Sequence, residues 1–156
     1  MLPQRIPYVE RDCCGIICAM IALQFLKLAF YALASLVSSF YFQWGLIYAR
    51  WGQTNRALWY FSRAIRMNRR GDQAYFHRGL LFAAVGMPER AIGDFSSAIE
   101  NNPQNLNARI YRSMMYTITG REEQAQSDLE QAVALGADRE ELEQQMYDTR
   151  TRAGHF

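Results

Sequence analysis

Cysteine and histidine are the first side chains to examine for chemistry, because they bind metals and act as nucleophiles and bases. Cys13, Cys14 and Cys18 lie close together, whereas His77 and His155 are far away in the sequence. Zinc needs about four ligands at matched spacing, so this set predicts no metal site. Small buried residues or a site of lipid attachment at a membrane edge fit the cysteines better. Their early clustering disfavours a disulfide-stapled secreted fold.

The rest of the sequence offers no recognisable catalytic constellation. No nucleophile stands beside a base and an orienting group. There is no glycine-rich phosphate loop, since Gly45, Gly52, Gly79 and Gly86 belong to a repeat pattern. We therefore expect a protein that is not an enzyme and that needs no cofactor and no small-molecule substrate.

Charge is distributed unevenly, although the formal net charge is only +2. Residues 50–90 contain eight arginines and two acids, whereas residues 91–156 contain six arginines and eleven acids. The basic patch consists of Arg56, Arg63, Arg66, Arg69 and Arg70. This asymmetry favours a protein or membrane surface facing the middle of the chain. We expect no aromatic stacking platform beside the patch, and hence no nucleic-acid partner.

The middle of the chain repeats itself at a step of 34 residues. Six positions keep one chemical type in all three units. They are Gly45, Gly79 and Ser113; Tyr48, Phe82 and Tyr116; Gly52, Gly86 and Gly120; Ala57, Ala91 and Ala125; Phe61, Phe95 and Leu129; and Ala64, Ala98 and Ala132. Small residues let helices approach closely, large residues fill the space between hairpins, and the glycines of the third set can end a helix. Each unit is thus predicted to be two antiparallel helices of about 13 residues.

These sets of positions, with Trp44-Gly45 in the first unit and Pro103 after the second, resemble tetratricopeptide repeats. The resemblance covers residues 38–137, roughly two thirds of the chain. The first and third units lack the closing proline, since Arg69 and Ala137 stand there. The resemblance implies a binding scaffold without catalytic chemistry of its own.

The predicted fold is all-α, a tetratricopeptide-repeat solenoid with a C-terminal capping helix and an N-terminal hydrophobic, transmembrane helix. The predicted segments are an N-terminal tail (1–12), an anchor helix (13–37), three repeats (38–71, 72–105 and 106–137), and a capping helix with a tail (138–156). Stacked repeats need a polar outer face at the end of the stack, and the charged C-terminal segment supplies one.

By resemblance, the first helices of the hairpins line a groove that grips a peptide or helix of a partner. The groove candidates are Phe42, Leu46, Ala49, Phe76, Leu80, Ala83, Ile110, Met114 and Thr117. Family members that hold a chaperone's acidic C-terminus use Lys, Asn and Arg in the groove. The matching positions here are Phe42, Leu46, His77 and Tyr111, so that activity is not expected. An apolar groove favours an amphipathic helix or an apolar strand as ligand. Alternatively, these residues are core, or the chain's own N-terminal helix fills the groove.

The segment from Gly15 to Val37 carries one charge, Lys27, and is long enough to span a hydrocarbon core of about 30 Å. A central lysine costs about 2.5–3.5 kcal/mol, which makes insertion marginal. A polar stripe of Gln24, Lys27, Tyr31 and Ser35 follows helical spacing and could dock on a neighbouring transmembrane helix. The alternative is an extra soluble helix that packs on the first repeat.

The sequence therefore predicts a single-pass membrane protein with its repeats in the cytoplasm, since most arginines follow the anchor. The opposite orientation stays open, since a short tail with Arg5 and Arg11 could also stay inside. It would act as an accessory subunit, adaptor or assembly factor of a larger membrane complex, with protein partners. The alternative is a soluble co-chaperone-like module whose own N-terminal helix covers the groove.

Overall fold

The computed structural model describes the backbone of residues 9–153 and the side chains of residues 20–152. The expected all-α fold is confirmed, because every regular element in this part of the chain is a helix. The helices are α1 (Val9–Arg50), α2 (Thr54–Met67), α3 (Asp72–Ala84), α4 (Pro88–Asn101), α5 (Leu106–Ile118), α6 (Glu122–Ala134) and α7 (Arg139–Ala153).

The chain divides into two compact units between Leu36 and Val37, a point that lies inside α1. The apolar segment and the first helix of the first repeat are thus one continuous helix in the structure. Residues 1–8 of the predicted N-terminal tail and residues 154–156 of the predicted C-terminal tail lie outside the described residues.

The second unit is built from hairpins and a final helix. Residues 37–50 of α1 lie against α2, since Gly45 faces Phe61 and Ser38 Oγ donates to the Ala64 carbonyl. α3 pairs with α4, α5 pairs with α6, and α7 packs on α5 and α6. Gly52, Gly86 and Gly120 follow the first helix of each hairpin and have φ of +70°, +75° and +73°. Glycine tolerates this left-handed backbone without strain, as the repeat pattern predicts.

Close helix packing inside each hairpin depends on a small residue facing a large one. A Cβ at Gly79 would lie 2.8 Å from Cε1 of Phe95, and one at Gly45 would lie 2.5 Å from Cε1 of Phe61. Both phenylalanines are almost completely buried. In the third hairpin a serine replaces the glycine, and the facing ring is replaced by the smaller Leu129. The sizes of the two facing residues therefore change together.

One arginine forms an ion pair inside the second hairpin and a hydrogen bond to the hairpin before it. The Arg78 guanidinium donates to both carboxylate oxygens of Asp94 at 2.7 Å, and its Nη1 donates to Ser62 Oγ at 3.0 Å. Asp94 lies on α4 and Ser62 lies on α2, so one arginine of α3 holds two helices. The hydrogen bonds to Asp94 raise the pKa of Arg78 above its ordinary value.

The same arrangement recurs 34 residues later. Arg112 donates to Asp128 at 2.7 and 2.6 Å and to Ser96 Oγ at 2.9 Å. We call each set of three residues a staple. The bidentate geometry fixes distance and orientation within a hairpin, and the hydrogen bond to the serine joins that hairpin to the preceding one.

We predict that Gly79→Ala destabilises the compact unit that contains the repeats, because the added methyl group must displace the Phe95 ring. The expected loss is about 1–3 kcal/mol in the free energy of unfolding, measured by chemical denaturation. Gly93→Ala is the matched control, since Gly93 is exposed within α4 and its added Cβ meets nothing within 4 Å. That control should be stabilising by about 0.5–1 kcal/mol. Equal effects of the two substitutions would contradict the packing argument.

We predict that Asp128→Asn weakens the fold by about 3 kcal/mol, because it leaves a largely buried guanidinium without its counter-charge. The side chains of Arg112 and Asp128 are only 17% and 4% exposed. The control is Glu89→Gln, which removes the exposed ion pair with Arg121 and should cost less than about 1 kcal/mol. The staple has no structural role if both variants unfold at the same denaturant concentration.

Candidate protein-binding groove

A cavity of about 490 Å³ lies between α3, α5 and α7. Its residues are Leu80, Ala83, Ala84, Tyr111, Met114, Met115, Ile118, Thr149 and Arg152. Most of these side chains are apolar, and the polar Thr149 and Arg152 come from α7. Such a surface suits an apolar segment of a ligand, with Thr149 and Arg152 able to bind a polar or negatively charged end.

Three of the nine predicted groove residues, Leu80, Ala83 and Met114, line this cavity together. They are half-buried, so each has atoms available to a ligand. Leu80 and Ala83 lie one turn apart on α3, and Met114 faces them from α5. The pairing of α3 and α5 along neighbouring repeats thus creates the surface.

The other predicted groove residues lie outside the cavity and pack against neighbouring helices. The Phe42 ring lies 5.8 Å from the ring of Phe61, and the buried Phe76 lies 5.9 Å from Phe95. Ile110 packs against the cluster formed by α6 and α7. These residues also connect the repeats.

The remaining three groove candidates are Leu46 and Ala49 on α1 and Thr117 on α5. Leu46 and Ala49 are half-buried on α1. Thr117 is buried, and its hydroxyl donates to the carbonyl of Ser113 at 3.1 Å. Its hydrogen-bonding capacity is therefore partly used inside the helix.

His77 occupies one of the positions where the resemblance places a peptide-clamping residue. Its ring lies among Phe42, Phe61 and Phe76, at centroid distances of 5.5, 6.0 and 5.3 Å. Burial lowers the pKa of His77 below its ordinary value, because the apolar surroundings disfavour the charged form. His77 is therefore neutral at pH 7 and offers no cation to an acidic peptide.

Sequence reasoning missed Ile118, Thr149 and Arg152 as lining residues. The sequence could have predicted Ile118, since it follows Met114 by one helical turn and lies on the same face. Thr149 and Arg152 carry no sequence signal of this kind, because their role depends on α7 packing against α5. The hydrophobic pattern alone does not specify that contact.

Comparisons with known proteins agree with this architecture. The tetratricopeptide repeat family matches residues 38–70. The Arabidopsis OM64 TPR domain superposes with a TM-score of 0.67 at 19% identity, covering 74% of this chain and 98% of that one. The first TPR of Spaghetti (RPAP3), bound to the HSP90 peptide SRMEEVD, gives 0.69 at 15% identity, covering 77% and 95%. The TPR2B domain of yeast Sti1, in a complex with pHsp70, gives 0.65 at 18% identity, covering 78% and 98%. Curated proteins provide no match to this chain.

The chain has the tetratricopeptide-repeat fold. Its three hairpins, the glycine turns and the facing small and large residues follow the expected repeat positions. At these identities the solved structures establish the fold alone.

The basic patch lies on the first tetratricopeptide repeat and the turn after it. Arg56 and Arg66 are exposed, and so are Arg69 and Arg70 in the turn. Aromatic rings lie beside two of its arginines, and the absence of a nucleic-acid partner stays a prediction. The Arg56 guanidinium lies 5.6 Å from the centroid of the Tyr48 ring, and that of Arg63 lies 5.2 Å from Trp59.

The part of α1 from Met20 to Arg50, which includes the first helix of the first repeat, is long and apolar enough, by length and composition, to cross a membrane. Between Met20 and Leu36 no side chain is buried; Phe30 is 68% exposed and Leu36 is 70% exposed. The predicted stripe of Gln24, Lys27, Tyr31 and Ser35 is exposed as well. The side chains of Cys13, Cys14 and Cys18 lie outside the described residues, so their role stays a prediction.

Proposed function

We propose that this chain is a membrane-anchored tetratricopeptide-repeat scaffold. Its cavity holds an apolar segment of a protein partner, and it serves as an accessory subunit, adaptor or assembly factor of a membrane protein complex. The observation that carries the proposal is the apolar cavity between α3, α5 and α7, together with the exposed apolar helix that precedes the repeats.

The chemistry of the groove distinguishes its ligand from an acidic peptide. The peptide bound by the Spaghetti domain, SRMEEVD, contains three acidic residues. Here the corresponding positions are Phe42, Leu46, His77 and Tyr111, and none of these is a cation at pH 7. An amphipathic helix or an apolar strand is the better ligand, because it gains free energy by burying apolar surface.

The exposed apolar helix favours the anchored form over the soluble alternative. Part of α1, from Met20 to Arg50, is long and apolar enough by composition to cross a membrane, and Lys27 is the only charge between Met20 and Leu36. A bilayer is the solvent that accommodates such a helix. Lys27 opposes insertion, because placing its charge in the bilayer costs free energy. A polar surface on a neighbouring transmembrane helix would offset that cost.

We predict that a photo-crosslinking residue at Met114 captures the partner, because Met114 lines the cavity. The same probe at Gln126, an exposed position on α6, should capture nothing specific. Ala83→Trp fills the cavity and should reduce the Met114 crosslink at least about tenfold, equivalent to 1.4 kcal/mol of binding. Ala134→Trp, at an exposed position, is the matched control. Equal crosslinking from Met114 and Gln126, or no effect of Ala83→Trp, would remove the cavity from the proposal.

We predict that Lys27→Leu leaves the protein in the membrane but releases it from its complex, because the substitution removes the polar docking group. Loss of the larger species on a native gel, after mild solubilisation, measures this. Leu33→Ala lies on the opposite side of the helix and should leave the complex intact. If the complex persists in the Lys27→Leu variant, the stripe has no docking role.

A further inference from the structure

The outer surface of the first hairpin occupies the place where a preceding repeat would pack. In the second repeat, Tyr75 on α3 packs against a cluster that contains Ala64 and Ile65 of α2. The residue one repeat before Tyr75 is Tyr41. No repeat precedes it among residues 37–153, so the position that contacts a neighbour elsewhere has no repeat to contact here.

The first hairpin also lacks a staple. One repeat before Arg78 stands Trp44, and one repeat before Asp94 stands Tyr60. The Trp44 and Tyr60 rings stack at 6.4 Å and 26°. The ion pair that joins the two helices of each later hairpin has thus been replaced by a pair of aromatic rings.

Further rings and two arginines complete this surface. Tyr48 stacks on Tyr60 at 5.1 Å, and Tyr41 contacts both Tyr60 and Trp59 at 6.2 Å. Arg56 lies over Tyr48 and Arg63 lies over Trp59. We call this surface the end face; it consists of Tyr41, Trp44, Tyr48, Arg56, Trp59, Tyr60 and Arg63. It is accessible, since Trp59 is 51% exposed.

The charge around the end face has one sign. No aspartate or glutamate occurs between Asp12 and Asp72. Over the same stretch the first hairpin and its closing turn contain six arginines, at positions 50, 56, 63, 66, 69 and 70. The ligand that complements this surface is therefore both anionic and tolerant of aromatic rings.

We infer that the end face binds the head-group region of a bilayer containing anionic phospholipids. Tryptophan and tyrosine favour this region, because their rings are apolar and their N–H or O–H groups can bind water or head groups. Arginines near an anionic surface add attraction. The inference rests on the proposed anchor, and it assigns a lipid ligand to a surface separate from the groove.

A second copy of the chain and single-stranded nucleic acid both fit the same surface less well. A symmetric dimer would bring two identical arginine-rich end faces together, and like charges repel. In a head-to-tail stack the end face would need an open last repeat, but α7 already packs there on α5 and α6. Single-stranded nucleic acid would need free ring faces, whereas Tyr60 is stacked by both Trp44 and Tyr48.

The tryptophans make this surface measurable in the full chain. The chain has three tryptophans, and all of them, Trp44, Trp51 and Trp59, lie in the first hairpin or its turn. Intrinsic tryptophan fluorescence therefore reports on this part of the molecule alone. The full chain is reconstituted into phosphatidylcholine vesicles with and without phosphatidylserine, using lipids brominated either near the head group or near the chain ends.

The expected result is strong quenching by bromine near the head group, weak quenching by bromine near the chain ends, and an increase with phosphatidylserine that high salt removes. Arg56→Gln and Arg63→Gln should each weaken the phosphatidylserine-dependent association about fivefold. Arg90→Gln is the matched control, because Arg90 is the counterpart of Arg56 one repeat later and lies over Phe82 at 5.6 Å. It should leave quenching unchanged.

The outcomes separate this inference from the proposed anchor. Carbonate-resistant chains whose tryptophans are not quenched would overturn the end face as a lipid surface and leave the anchor intact. If carbonate extracts the chains but bromine still quenches their tryptophans, the end face remains a lipid surface and the anchor is overturned. Fluorescence that changes with protein density or on adding an oligonucleotide, but not with phosphatidylserine, would assign the face to a second copy or to nucleic acid. Chains that bind no vesicles of either composition would overturn both the end face as a lipid surface and the anchor.

Discussion

A helical hairpin of this chain cannot cover its own apolar face, so each hairpin depends on its neighbours to exclude water. Phe61 and Phe95 are buried because Gly45 and Gly79 let the paired helices close over them. Between hairpins, contacts of α2 with α3 and of α4 with α5 continue the same packing. The staples add direction to it, since each guanidinium reaches its own hairpin and the preceding one. Stability is then shared between neighbours, as in other repeat stacks.

The two ends of such a stack have no neighbour on one side, and this chain treats them differently. At the C-terminal end, α7 covers the last hairpin with Leu142, which is buried against Leu129 and Ala132. The outer side of α7 is charged. At the first hairpin, aromatic rings and arginines take the place of the staple. The preceding residues 20–36 are mostly apolar and carry a single charge, Lys27. A lipid bilayer would satisfy both features with one environment.

The sequence predicts the repeat well because steric requirements are local and recur every 34 residues. The glycine turns and the facing pairs such as Gly79 and Phe95 can be recognised from residue type and spacing. The staples have the same spacing, since Arg78 and Arg112 are one repeat apart, as are Asp94 and Asp128. Polar residues at a helical surface are usually solvated, however, so their burial is visible only in the structure.

The cavity was harder to predict than the fold. Leu80, Ala83 and Met114 follow from their places in the repeat, but Phe76 shares that pattern and is buried in the core. Helix periodicity identifies a face and does not tell whether a neighbouring ring already covers it. Arg152 joins the cavity only because α7 packs on α5, a tertiary contact that no repeat position specifies.

The central claim is that a bilayer covers the apolar helix that precedes the repeats. The most direct test is fractionation of the C-terminally tagged chain, followed by an alkaline carbonate wash of the membranes. The account predicts that the protein stays in the membrane pellet. Release into the supernatant would contradict it, and a protein surface would then have to cover residues 20–36.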